Sequence, residues 1–567
     1  MFGFKRSMIQ VILLLVFAIH YYTFGSVLLW YIFAGSLSVA LLLAVLTYDH
    51  DYWIRRGIFS PPAWPLVGHI RTVVAFKEQG GMCFKRIYDT YKNERFLGCH
   101  QFYQRTLVVR DPELIKRICV NDFQYFTDRG FFFNKEVDPL AGSVLFLRGN
   151  EWKKLRAKIS PIFSPNKLRG MFPLIEDTAK EFVLRVRKLV TNTKNITKNN
   201  SKVINGDVAI NTKEVDETHS TVVESEKLVG GYTADAIVPC AFGLKSSVMD
   251  NPKDPFAVAL QAFYEMTLYN IFEKTMRQFW PAFVLFFRMR IIPKTTHDFF
   301  YNIVTSVLRA RETGEQEKRG DFIDMMMNLR NDEKNNNTGK AESGNDVEIT
   351  DMVISANAFI IFLGGFETTS STLAFLFLEL AAHPEVQEKM RNEIIEVLAK
   401  TNGILTYEML QELTYMEMVI HETLRLYPPF PTIQRMCTKD YTILGTNIVV
   451  EKGTIVLFPT LGIQRDEQYF ENASAFIPER WTEDKPVPPP GVYMPFGDGP
   501  RYCIGKRFAM IQMKCCLVKL LLHVRISPAP CGKSGANLRS RTEPFEADPR
   551  SPQTLHPADS RVRLSLL

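Results

Sequence analysis

The stretch FGDGPRYCIGKR, Phe496 to Arg507, decides how the rest of this chain is read. One cysteine, Cys503, lies among Gly497, Gly499 and Gly505, with Arg501, Lys506 and Arg507 around it. The run behind it, GKRFAMIQMKCCLVKLLLHV, predicts an amphipathic helix starting near Gly505. A thiol at a helix N-terminus meets the positive end of the dipole and several unpaired N–H groups, and both favour thiolate. The three glycines would admit close backbone approach and positive φ. The arrangement suits a sulfur kept anionic, dry and hydrogen-bonded while it binds a soft metal. A nucleophilic cysteine would need a histidine base, and neither His421 nor His523 carries a local signature of one.

Working outward, the chain has 567 residues, 46% apolar and 23% charged, as globular proteins do. No repeat or long linker divides the middle, so residues 69–527 read as one large catalytic domain. The formal charge of +7 suits an anionic membrane or an acidic partner, and is too diffuse for nucleic acid. The cysteines number nine and form no C-x-x-C pair, so zinc-type spacing is absent, and the pattern points to reduced, buried thiols.

The N-terminus predicts a membrane anchor over residues 1–50. SVLLWYIFAGSLSVALLLAVL, Ser26 to Leu46, is long enough to span a bilayer and too long for a signal-peptide core. His20 to Gly25 could mark a turn between two short helices. Lys5 and Arg6 on one flank and Arg55 and Arg56 on the other fit a hairpin with both ends cytosolic; a single tilted span is the other reading. Residues 51–68 follow as a neck stiffened by Pro61, Pro62 and Pro65. Beyond it, EWKKLRAKI, PLIEDTAKEFVLRVRKLV, DMVISANAFIIFLGG, PEVQEKMRNEIIEVLAK and YMEMVIHETLRLYPP carry helical periodicity, while Thr106–Arg110, Tyr441–Val450 and Gly453–Pro459 read as strands. The fold class is mainly α with a small β component. Thr191–Ser220 and Asn331–Asp346 are polar enough to read as disordered surface loops.

Phe496, Gly499, Arg501, Cys503 and Gly505 match F-x-x-G-x-R-x-C-x-G, and on that loop the chain resembles the cytochrome P-450 monooxygenases, whose haem iron is held by a cysteine thiolate. The resemblance covers roughly Pro61 to Ser527 and is strengthened by further motifs in order. GGFETT, Gly364 to Thr369, resembles the oxygen-binding groove of the family's long central helix. It implies that Gly364 and Gly365 make room and that Glu367 and Thr368 relay protons. ETLR, Glu422 to Arg425, with Arg480 of FIPERW, resembles the family's buried Glu–Arg–Arg cluster, a structural role. WKKLR, Trp152 to Arg156, resembles its W-x-x-x-R helix, whose i, i+4 spacing aims indole and guanidinium at one point. By the same resemblance Arg156, Arg435 and Arg501 would meet the propionates of haem b, iron protoporphyrin IX.

The likeness is to the microsomal insect detoxification branch, carried by FTDRG (Phe126 to Gly130), YTADAIVPCAFGL (Tyr232 to Leu244) and DFIDMMMNL (Asp321 to Leu329). It implies a monooxygenase that uses O2 and NADPH-derived electrons on hydrophobic small molecules. It also implies a cytosol-facing domain on the endoplasmic reticulum membrane, with a flavoprotein reductase and cytochrome b5 as partners. Lys153, Lys154, Lys158, Lys506 and Arg507 would form a basic docking patch. The phenylalanines of Arg129–Leu147 would cap the pocket, and Phe279–Pro293 would dip into the membrane surface. The pattern breaks at Pro528–Leu567, where the family's closing β-hairpin is expected and a proline- and serine-rich tail, disordered by composition, stands instead; an altered reading frame would give such a tail. Two other readings follow: a reductase-independent isomerase or dehydratase of oxidised lipids, opposed by the intact Glu367–Thr368 pair, and a turnover-deficient haem-binding variant, whose motive is the tail.

Overall fold

A computed structural model describes residues 31–40, 49–200, 220–265, 269, 272–273, 276–277, 281–336, 347–530 and 560–567. Most of the expected anchor, residues 201–219 and 337–346 of the expected surface loops, and residues 531–559 of the expected tail lie outside the described residues. Tyr31–Ala40 is a short apolar helix inside the expected span.

The helices that position the site are α1 (Gly149–Ile159), α2 (Pro165–Asn200), α3 (Ser225–Phe242), α4 (Pro255–Tyr264), α5 (Lys294–Glu312), α6 (Asp351–Ala382), α7 (Pro384–Ala399), α8 (Thr414–Leu426) and α9 (Lys506–Leu521). Helix α6 is the axis. Thr350 caps it by accepting the Val353 N–H at 3.3 Å, and His383-Pro384 ends it. Between those signals the chain is apolar on every face, and most of α6 is buried against α3, α5, α8 and α9. Among the described residues α6 is the one helix long and apolar enough to cross a membrane, and its burial marks it as a core helix.

Strands β1 (Phe96–Gln101), β2 (Gln104–Val109), β4 (Ile433–Met436) and β7 (Ile455–Phe458) form a sheet of order β1-β2-β7-β4, in which β2 and β7 run parallel. Strands β5 (Tyr441–Thr442) and β6 (Val449–Val450) form a hairpin. Strands β3 (Ser220–Glu224), β8 (Val524–Pro528) and β9 (Arg561–Leu566) form a second sheet with β9 in the middle. The class is the one expected, mainly α with minor β.

Three expectations are corrected. Thr191 to Asn200 are the last turns of α2, and Asn331 to Asn336 close a helix over Phe322–Asn336, so both polar runs begin as helix ends. Polar composition alone does not separate a helix end from a loop, because Asn, Lys and Thr occur in both. The helix behind Cys503 is not amphipathic: from Ile511 to Val518 α9 is buried all round. The tail is not disordered throughout, because β9 inserts between β8 and β3 with Val562 and Leu564 fully buried.

Candidate active site

The loop before α9 is closed by its own backbone. The Cys503 N–H donates to the Phe496 carbonyl at 2.8 Å, and Gly497 N–H donates to the Met494 carbonyl at 3.0 Å. Gly497 and Gly499 take positive φ, 71° and 68°. A Cβ on Gly499 would stand 1.8 Å from the Cys119 carbonyl oxygen, so only glycine admits that approach. Gly505 departs from expectation: its φ is −89°, and it caps α9 with open space where a Cβ would be. The thiol also departs. Burial pushes the Cys503 thiol up, against the lowering pull of the Gly505 N–H, Arg129, Arg156 and Lys506. Among protein groups alone desolvation outweighs the lowering contacts, and a bound metal cation would favour the thiolate.

Beside this loop four arginines converge. Arg501 lies over the Trp152 ring at 3.8 Å and donates to the carbonyls of Thr127 and Leu147, each at 2.8 Å. Arg129 donates to the Arg501 carbonyl at 2.9 Å, and Arg156 to the Tyr502 carbonyl at 3.1 Å. Arg435, held on β4, reaches the Asp498 carbonyl at 3.4 Å. Burial and the neighbouring guanidiniums push Arg501 down to about 8, while burial and Arg435 push Arg129 down to about 9. Arg156 and Arg435 are also lowered, chiefly by burial. Arg435 Nε and Arg501 Nη1 are buried with no hydrogen-bond partner among the described residues. So concentrated a set of half-satisfied cations, with Asp128 3.8 Å from Arg501, is what a dicarboxylate group such as haem would neutralise. The Trp152 ring face is covered by Arg501, and Arg156 lies over the Tyr502 ring at 4.9 Å. Sequence reasoning gave Arg129 no role. Its signal, FTDRG, was legible only as a likeness, because a loop arginine shows its burial only in the fold. Phe496 packs against the main core, with Lys506 Nζ 5.6 Å from its ring centre.

Helix α6 runs unbroken through Gly364 and Gly365. Gly364 faces open space, whereas Gly365 packs on Ile237 of α3, 3.0 Å from where its Cβ would be. Thr368 Oγ1 donates back to the Gly364 carbonyl at 2.6 Å. The Glu367 carboxylate instead accepts from the Tyr264 hydroxyl at the end of α4.

The third set, Glu422, Arg425 and Arg480, is brought together as the motifs imply. Glu422 Oε1 accepts from Arg425 at 2.8 Å, Arg480 at 3.1 Å and the Ile477 N–H at 3.0 Å. Its Oε2 accepts from Arg425 at 2.9 Å and the Trp481 indole at 3.1 Å. Arg425 also donates to the carbonyls of Gln464, Ala473 and Ala475, so this fully buried pair is saturated with partners. Trp481 was missed as a member; it directly follows Arg480 in sequence.

A cysteine on a closed loop beside a cationic cradle, with a central helix open at one glycine, fits the haem-thiolate class of protein. A family model described as Cytochrome P450 matches residues 59–538. Cytochrome P450 6B1 of Papilio polyxenes is 31% identical over 526 residues, 91% of this chain and 95% of that protein. Cytochrome P450 6a2 of Drosophila melanogaster is 32% identical over 501 residues, covering 87% and 92%. Cytochrome P450 6k1 of Blattella germanica is 32% identical over 511 residues, covering 87% and 90%. The chain belongs to the cytochrome P450 family, in the insect branch these relatives represent, and is a haem-thiolate monooxygenase.

Proposed function

We propose that the chain inserts one oxygen atom from O2 into hydrophobic small molecules, using electrons from NADPH delivered by a flavoprotein reductase, with cytochrome b5 as a second donor. The observation that carries it is the Cys503 loop set beside four arginines with too few anions. Cys503 would hold the haem iron through its thiolate, and Arg129, Arg156, Arg435 and Arg501 would hold the propionates, with Trp152 stacked to keep Arg501 in place. When bound, the haem supplies the iron at which dioxygen is activated. The protein's part is positional. Glu422, Arg425 and Arg480 keep the chain under the loop rigid. Gly364 leaves room beside α6, and Thr368 and Glu367 hold the protons the reaction consumes.

The phenylalanines of the cap cluster, with Phe131 and Phe146 at 5.4 Å and Phe133 and Phe146 at 6.0 Å between centroids, favour an apolar substrate. Phe286 and Phe287 are exposed, consistent with a face that meets endoplasmic reticulum lipid while the domain lies in the cytosol. Lys153, Lys506 and Arg507 stay exposed for an acidic electron donor, whereas Lys158 is engaged by Glu333 and the Val347 carbonyl. The motive for a turnover-deficient variant weakens, since β9 supplies a closing strand.

The test is a reduced carbon monoxide difference spectrum on membranes bearing the full chain. A strongly red-shifted Soret band that is lost in Cys503→Ser supports thiolate ligation; the same band in both would refute it. Turnover that proceeds without NADPH would favour the isomerase reading.

A further inference from the structure

Glu367 and Thr368 part company in the fold. Thr368 turns to its own helix, one turn back, while Glu367 Oε2 takes the Tyr264 hydroxyl from a position 103 residues away. We propose that Tyr264 is a positioning residue for the acid of the proton relay: its hydrogen bond fixes the rotamer of Glu367 and hence the path between that carboxylate and Thr368. The proposal rests on the reading of Glu367 and Thr368 as a relay.

A glutamate on a half-buried helix face has three side-chain torsions and, unheld, samples several rotamers. A phenol donating to a carboxylate is a charge-assisted bond, among the stronger ones that hold a side chain. Tyr264 is suited to the task because its own ring is held. Phe263 meets it edge-on at 5.1 Å, and Phe263 packs edge-on against Phe359 of α6 at 5.8 Å. Phe359 lies about two turns before Glu367 on the same helix, so α4 is fastened to α6 at two levels. Tyr264 is also the last residue of α4; Glu265 is already extended, with ψ 125°. The hydroxyl that sets Glu367 therefore sits at the point where the chain leaves the helix.

The test uses the full-length holoenzyme in membranes. In protein carrying 13C-labelled tyrosine, the infrared difference between wild type and Glu367→Gln should show one phenol C–O band shifted. That difference should vanish in a Tyr264→Phe background. With 7-ethoxycoumarin as probe substrate and added reductase, Tyr264→Phe should raise hydrogen peroxide released per NADPH consumed by roughly three- to tenfold, with KM within about twofold of wild type because ring packing is kept. An infrared difference that persists in Tyr264→Phe overturns the proposal. So does unchanged peroxide release in Tyr264→Phe when Glu367→Gln raises it, and the relay then stands. Unchanged release in Glu367→Gln overturns the relay itself, and the proposal with it.

Discussion

Gly499 shows how little room the cysteine loop leaves. With φ at 68° and the Cys119 carbonyl where a methyl would go, Gly499→Ala strains the backbone and pushes the loop off the Arg117–Asn121 segment. A loss of about 2–4 kcal/mol and of most bound haem is expected, read by urea unfolding and by haem per chain. Wild-type stability with full haem would mean the loop closes otherwise. His100 makes a pH prediction. It is 1% exposed, with both ring nitrogens unpartnered, and His50 and His69 lie 5.4 Å and 6.2 Å away between ring centres. Burial first, then His69 and His50, push it down to about 4, with Asp49 opposing and Arg105 adding. The unfolded chain protonates this histidine near 6.5 and so binds more protons below that value. Stability therefore falls as pH drops from about 6.5 to about 4, by at most about 3 kcal/mol. His100→Phe should flatten that arm of an unfolding-versus-pH curve; an unchanged slope would reject the assignment.

At the scale of elements, β9 is the decisive piece. RVRLSL alternates, so Val562 and Leu564 face the core while Arg561 and Arg563 do not. The strand pairs with both β8 and β3, and the Leu567 N–H donates to the His523 carbonyl at 3.1 Å. Ending the chain at Ser560 removes two buried side chains and leaves two strand edges open. About 4 kcal/mol should be lost, seen as a lower melting temperature with exposed apolar surface by dye binding. A melting temperature equal to that of the full chain would show that β9 contributes nothing. The period-two pattern was present in the sequence, but composition over the whole tail masked it. Strand β1 was missed for another reason. Its interior residues, Leu97 to His100, are buried on both faces, so no alternation marks it.

For the whole molecule, residues 51–68, expected to form a neck, dock onto the body through buried aromatics. Trp53 is fully buried, its indole N–H donates to the Cys99 carbonyl at 2.9 Å, and its ring occupies the space a side chain at Gly98 would need. Tyr52 is sandwiched between Arg56 and Arg105 at 3.7 Å and 3.9 Å, and Arg105 bonds Asp49 at 2.7 Å and Glu451 at 2.8 Å. Trp53→Ala should cost about 3–5 kcal/mol of neck docking, raising tryptic cleavage at Arg55 and Arg56; an unchanged cleavage rate would show that the neck is held elsewhere. The prolines predicted stiffness here, but the docking comes from residues that sequence reading passed over. The same division holds across the molecule. The sequence by itself determined the class of fold and the cysteine loop, and paired Glu422 with Arg425, because those features are written in offsets of a few residues that the covalent chain carries with it. Only the tertiary structure decided that Arg129 joins Arg501, that Arg501 lies on the Trp152 ring, that Glu367 turns to Tyr264, and that the tail ends as a strand. Each of these depends on burial and on partners distant along the chain, and such partners meet only when the helices pack.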